Sequence, residues 1–92
     1  LVVTGGTGFS RRDSTHDAIS TLYDAHIPGF GELFRMLSFE EIGAAAMLSR
    51  ASAGIVNGRP VFSLPGSSAA VRLAMSRLIL PEVGHLLAQL GR

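Results

Sequence analysis

Apolar positions along the chain fall into short blocks, and the spacing changes from block to block. Residues 1–4 open with a continuous apolar run, Leu1, Val2 and Val3, that reads as the end of a buried strand. Asp13 or Ser14 is placed to cap a helix, and Asp17 follows Ser14 at capping-box spacing. Ala18, Ile19, Leu22 and Tyr23 then recur at helical spacing, which predicts a helix over 15–25 that Ile27-Pro28-Gly29 breaks. Leu33, Phe34 and Leu37 share one face of a second helical segment over 31–37. Ser38-Phe39-Glu40-Glu41 repeats the capping box and predicts a separate short helix toward Ala46.

The period then shortens. Residues 51–56 and 59–64 flank Asn57-Gly58, a pair that supplies the positive φ of a type I′ turn, so this stretch is expected to be a β-hairpin. Pro60 places the second strand at an edge or marks its start. Ser67 or Ser68 caps a following helix with Val71, Met75 and Leu78 on one face. Pro81 fits the first turn of a last helix that ends at Gly91. Strands interleaved with helices, without repeats, linkers or low-complexity segments, make residues 1–92 one α/β unit.

Two junctions carry chemistry. Thr4-Gly5-Gly6-Thr7-Gly8 follows the first strand, and Arg11-Arg12-Asp13 stands just beyond it. The glycines remove the Cβ atoms that would keep a ligand from the backbone, and the threonines add hydroxyls. The loop lacks the GK[ST] ending of a P-loop and the spacing of GxGxxG. Read alone it is a glycine turn or an anion cradle; the adjacent arginines, able to grip phosphate, favour the cradle. Pro65-Gly66-Ser67-Ser68 repeats the theme after the last strand. Ligands of open α/β sheets sit at the carboxyl ends of strands, so both loops are expected to frame one site for a phosphorylated ligand.

The single residues have more than one reading. Asp13 suits either Mg²⁺ binding or a helix cap. Arg12 suits a phosphate contact or the orientation of Asp13, and Arg11 is less informative. Ser67 and Ser68 serve as ligand donors or caps. Glu32 reads as a first-turn acid favouring the helix dipole or as a residue facing the site from a neighbouring loop, and Arg50 as a structural residue bonding backbone carbonyls or standing at a subunit boundary. His16, His26 and His85 lack metal spacing and are expected in surface or capping roles.

Composition narrows the classes. The hydrophobic fraction is 47% and the mean hydropathy +0.36, which excludes a disordered chain and predicts apolar surface covered by another segment or subunit. A net charge of +1 gives no bulk field for nucleic acid. There is no Cys, so disulfides and thiolate sites are excluded, in keeping with a cytoplasmic protein. No apolar run is long enough to span a bilayer, and no membrane partner is expected.

TGGTG followed by RRD, together with IPGFGELFRMLSFEEIG at 27–43, AMLSRASAG at 46–54, NGRPVFSLPGS at 57–67 and AVRLAMSRLILPEVGHLL at 70–87, resembles the molybdopterin-binding domain of the MoaB/MogA family. The resemblance covers nearly the whole chain, with the MoaB branch favoured. It implies a three-layer α/β/α MogA-like fold, of which residues 1–92 would be the C-terminal part, completed by N-terminal βα units. It implies a role in molybdenum cofactor biosynthesis, with molybdopterin adenylated by ATP and Mg²⁺ to adenylyl-molybdopterin and pyrophosphate. Carried over, Thr4, Gly5, Gly6, Thr7, Gly8, Arg12, Gly66, Ser67 and Ser68 would bind molybdopterin or phosphate, and Asp13 would be the catalytic and metal-binding residue. A further acidic residue would come from the N-terminal half, so the 92-residue chain alone would be inactive. Family members are commonly trimers or hexamers. The alternative implied is a non-catalytic molybdopterin-binding or assembly protein of the MoaB type. Two departures bear on this choice: Ser68-Ala69 stands where Pro-Lys often follows LPGS, and Ser14, His16 and Asp17 stand where Val, Pro and Glu are common.

Overall fold

The computed structural model describes residues 1–9 and 15–91. Arg11, Arg12, Asp13 and the cap expected at Asp13 or Ser14 lie outside the described residues. The elements in chain order are β1 (Val2–Thr4), α1 (Thr15–Ser20), β2 (Ala25–His26), α2 (Pro28–Ile42), a 3₁₀ stretch (Gly43–Leu48), β3 (Ser52–Val56), β4 (Arg59–Leu64), α3 (Ser68–Ala74), a π turn (Met75–Ile79) and α4 (Leu80–Leu90).

Four strands form one mixed sheet in the order β1-β4-β3-β2. The hairpin forms as the Asn57-Gly58 pair requires: both residues have positive φ, and Ser52↔Ser63 through Val56↔Arg59 pair antiparallel. β1 joins β4 in parallel, Val2 opposite Phe62 and Thr4 opposite Leu64. β4 is therefore an inner strand, and Pro60 is tolerated near its start rather than at an edge.

The pleat divides β4 into two faces. Phe62 and Leu64 join Ala51 and Ala53, Phe30 and Phe34 of α2, Leu73 and Ala74 of α3, and Ile79 in one apolar core. Phe30 meets Phe62 edge-on at 5.2 Å between ring centroids. Val61 and Ser63, on the alternate positions, are also buried, and Gly54, opposite Val61, faces the Tyr23 ring just beyond α1. Helical segments thus lie on both faces, the α/β layering expected from the resemblance.

Three sequence expectations change. The first helix stops at Ser20, not at 25, because Asp24 N–H donates to Ile55 O at 2.7 Å and Ile27 N–H to Ala53 O at 2.9 Å. Sheet pairing replaces the last helical turn, and Asp24 also accepts the Asn57 amide at 2.9 Å. Pro28 opens α2 rather than breaking a helix, and α2 runs unbroken through Ser38. Ser38 is buried in its interior, not a cap; the core face is Phe30, Gly31, Phe34 and Ser38, while Leu33 is exposed. Gly43, at φ +76°, ends α2.

The last two helices are one continuous rod. Pro81 has no N–H to give and would clash with the carbonyl four residues back. The π turn before it widens the spiral, and Leu80 N–H reaches Met75 O. The extra residue re-phases the apolar stripe: Ala70, Ala74, Ile79, Val83 and Leu86 all meet the core. Leu73, Ala74 and Ile79 are buried; of the predicted stripe, Met75 and Leu78 are half-buried and pack against the same core, and Val71 is half-buried.

Candidate functional site

Because β1 and β4 are parallel neighbours, both leave the sheet at the same edge, and their loops emerge side by side. Gly5 N–H donates to Leu64 O at 2.7 Å, extending the ladder one step into the glycine loop. Gly5 Cα lies 3.5 Å from where a side chain on Gly66 would begin. The structure thus brings the two predicted loops, 4–8 and 66–68, together at Gly5 and Gly66.

The turn itself needs glycine at two positions. Gly5 has φ +89° and Gly6 +70°. Gly6 also lies so close to Thr15 that a Cβ would sit 3.1 Å from Thr15 N and inside the Thr15 side chain. This packing lets the first turn of α1 close on the loop, where His16 N–H donates to Gly6 O at 3.0 Å. Thr7 is buried, Gly8 half-buried and Phe9 exposed.

In the second loop, Ser67 Oγ accepts the Ala70 amide at 3.2 Å, so Ser67 is the N-cap of α3. Gly66, Ser67 and Ser68 are exposed. Glu32 is exposed on α2.

Arg50, reached through the 3₁₀ stretch, lies behind the glycine loop. Its amide donates to Thr7 O at 3.0 Å and its Nε to Gly8 O at 3.0 Å, with a further bond from the same guanidinium to Gly8 O. The other arm bonds Asp17 at 2.7 Å, and the guanidinium covers the Phe9 ring at 4.6 Å. Carbonyl bonding by Arg50 was legible in the sequence; that these carbonyls belong to the glycine loop was not, since 42 residues separate Arg50 from Gly8.

His16 was expected at the surface or as a cap and is instead half-buried, its Nδ1 3.3 Å from Ser52 Oγ, which is 2.9 Å from Tyr23 Oη. Burial holds its pKa below the ordinary 6.5; Arg50 and Arg35 add to the effect, and Asp17 opposes it. No local signal in the sequence marks this contact. His26 meets Tyr23 edge-on, and His85 lies between Glu82 and Gln89 on exposed α4. Among the described residues no three His, Cys, Asp or Glu side chains converge as a metal site, and no helix is long and apolar enough to cross a membrane.

A parallel β1–β4 pair delivers a glycine turn and a capped small-residue loop to one edge of the sheet, the arrangement of an open α/β domain whose loops gather at the carboxyl ends of its strands. The particular family follows from its relatives. The family model described as a probable molybdopterin binding domain matches residues 1–85, and the chain belongs to that family. Molybdenum cofactor biosynthesis protein B of Bacillus cereus is 57% identical over 93 aligned positions, covering 100% of this chain and 55% of the relative. The Bacillus subtilis protein of the same name is 52% identical with the same coverage. A crystal structure of a molybdenum cofactor biosynthesis protein B superposes with a TM-score of 0.94 at 58% identity, over 99% of this chain and 57% of that one. The tungsten cofactor synthesizing protein MoaB from Pyrococcus furiosus gives 0.89 at 46%, over 99% and 58%. The chain thus spans about half the length of the relatives it matches.

Proposed function

We propose that this chain acts in molybdenum cofactor biosynthesis as the part of a molybdopterin-binding domain that holds the ligand's phosphate. The observation that carries the reading is the meeting of the two loops, with Gly5 bonded to Leu64 and in reach of Gly66. Amides of residues 6–8 supply donors with little side-chain bulk, and those of Ser68 and Ala69 at the start of α3 add a second set. The match to a probable molybdopterin binding domain supports molybdopterin as the ligand, and the relatives named for molybdenum cofactor biosynthesis support the pathway.

In the complete protein the reaction is adenylation of molybdopterin by Mg-ATP. Joining two anionic substrates is a problem of positioning and charge neutralisation, which a rigid amide cradle serves. Mg²⁺ takes one or two carboxylates and completes its shell from phosphate and water, so Asp13 is the residue assigned to it. Asp17 does not compete, since it is bound to Arg50. Arg12 is assigned a phosphate contact. The remaining half of the domain and a homo-oligomer, trimer or hexamer, complete the cytoplasmic enzyme, and these 92 residues alone bind without turnover.

Incubating the complete protein with molybdopterin, Mg²⁺ and ATP tests this. Pyrophosphate and adenylyl-molybdopterin are the expected products, and Asp13→Ala abolishes them while leaving the fold intact. Binding without product selects the non-catalytic reading, which the absence of Lys after LPGS favours. No binding at all removes both.

A further inference from the structure

We infer that Arg50 is a positioning residue that turns the amides of Gly8 and Phe9 toward a bound phosphate by holding the preceding carbonyls from behind. The inference rests on the phosphate-cradle reading above.

A trans peptide is planar, and its C=O and the following N–H point in opposite directions. No described peptide bond is cis. Whatever fixes a carbonyl on one side of a loop therefore fixes the next amide on the other. Three consecutive carbonyls here are held from the protein side: Gly6 O by the His16 amide at 3.0 Å, Thr7 O by the Arg50 amide at 3.0 Å, and Gly8 O by Arg50 Nε at 3.0 Å. The amides paired with them belong to Thr7, Gly8 and Phe9. Among the described residues none of the three has an acceptor of its own.

Two of the three carbonyls depend on Arg50, and both on its side chain: Nε also reaches Thr7 O at 3.4 Å, and Gly8 O is held by the side chain alone. Glycine has no rotational preference of its own to keep that peptide plane in place. The guanidinium is itself locked, by Asp17 at 2.7 Å on one arm and by the Phe9 ring at 4.6 Å on its face. Its planar fork sets a direction as well as a charge. A lysine ammonium keeps the charge and loses the fork. Arg50→Lys therefore separates positioning from simple attraction of an anion by a nearby cation.

The test is a titration of ¹⁵N-labelled protein with inorganic pyrophosphate, following the amides of Gly8 and Phe9 and, in the second loop, of Ser68 and Ala69. In the native chain all four are expected to shift. In Arg50→Lys the Gly8 and Phe9 response should need about ten-fold more pyrophosphate or more, the size of one charge-assisted hydrogen bond. Ser68 and Ala69 should keep their native starting positions, which a general loss of structure would not allow. Asp17→Asn, which loosens the guanidinium without removing it, should fall between the two. A native-like response of Gly8 and Phe9 in Arg50→Lys overturns the inference and leaves the cradle standing. If Arg50→Lys does not fold, an unchanged response in Asp17→Asn overturns it equally. Native protein whose Gly8 and Phe9 amides ignore pyrophosphate overturns both the cradle and the inference.

Discussion

Gly5 and Gly6 occupy the same turn, yet alanine at each should cost different amounts. Both have positive φ, where an L side chain costs about 1–2 kcal/mol. A Cβ on Gly5 meets nothing within 4 Å, so Gly5→Ala should lose only that amount. A Cβ on Gly6 overlaps the Thr15 side chain and sits 3.1 Å from Thr15 N. Forcing extra volume into such a contact costs about 1–3 kcal/mol more. Gly6→Ala should therefore lose roughly 2–5 kcal/mol, summing the two terms. Urea unfolding of the wild type and of both variants measures this, with equal slopes confirming a shared denatured state. A double-mutant cycle with Thr15→Gly locates the excess. In that background Gly6→Ala should cost no more than Gly5→Ala, apart from the residual contact with the Thr15 backbone. Equal costs for the two alanines, or a cycle with no coupling, would refute the packing argument.

Gly54→Ala places a Cβ in the Tyr23 ring and should destabilise by about 1–3 kcal/mol in the same assay, moving the ring off β3. Phe34, 1% exposed, should cost about 3–5 kcal/mol as alanine, while Phe39, 59% exposed on the same helix, should cost little in this chain. The buried Ser63 hydroxyl has no partner among the described residues, so Ser63→Ala should leave stability unchanged or raise it. His16 binds its proton less readily when folded than unfolded. Its contribution is therefore complete above pH 6.5 and is lost as pH falls from 6.5 through the lowered folded value. Thermal unfolding across that window should show this slope, and His16→Gln should flatten it.

How much of this was legible depended on whether the deciding partner was near in sequence. Asn57-Gly58 fixed the hairpin from two residues, because positive φ is a local demand. The two loops were expected at one sheet edge, and β1 beside β4 puts them there. Ser38 failed as a cap because its spacing to Glu41 is equally compatible with a helix interior, and burial of α2 against β3 decided the matter. The helix expected to reach residue 25 lost its last turn to pairing with Ile55 and Ala53, a competition visible only in three dimensions. On the last helices Met75 and Leu78 were found and pack against the core, while the fully buried Ala74 and Ile79 were missed, since a straight 3.6-residue count cannot anticipate the π turn between them.

β1 and β4 also set an order of assembly. β3 and β4 are joined by two residues and can pair as soon as that turn forms, whereas Val2 meets Phe62 only after the chain between them has closed on itself. Such distant pairings are the slow ones, since the loss of chain freedom precedes any gain from contact. The ladder step from Gly5 to Leu64 comes with that last closure. The meeting of the two loops therefore exists only in molecules that have finished folding, and under the proposed reading a ligand bound there would favour the folded state by mass action. Under that reading, occupancy of the loops and completion of the sheet become one equilibrium.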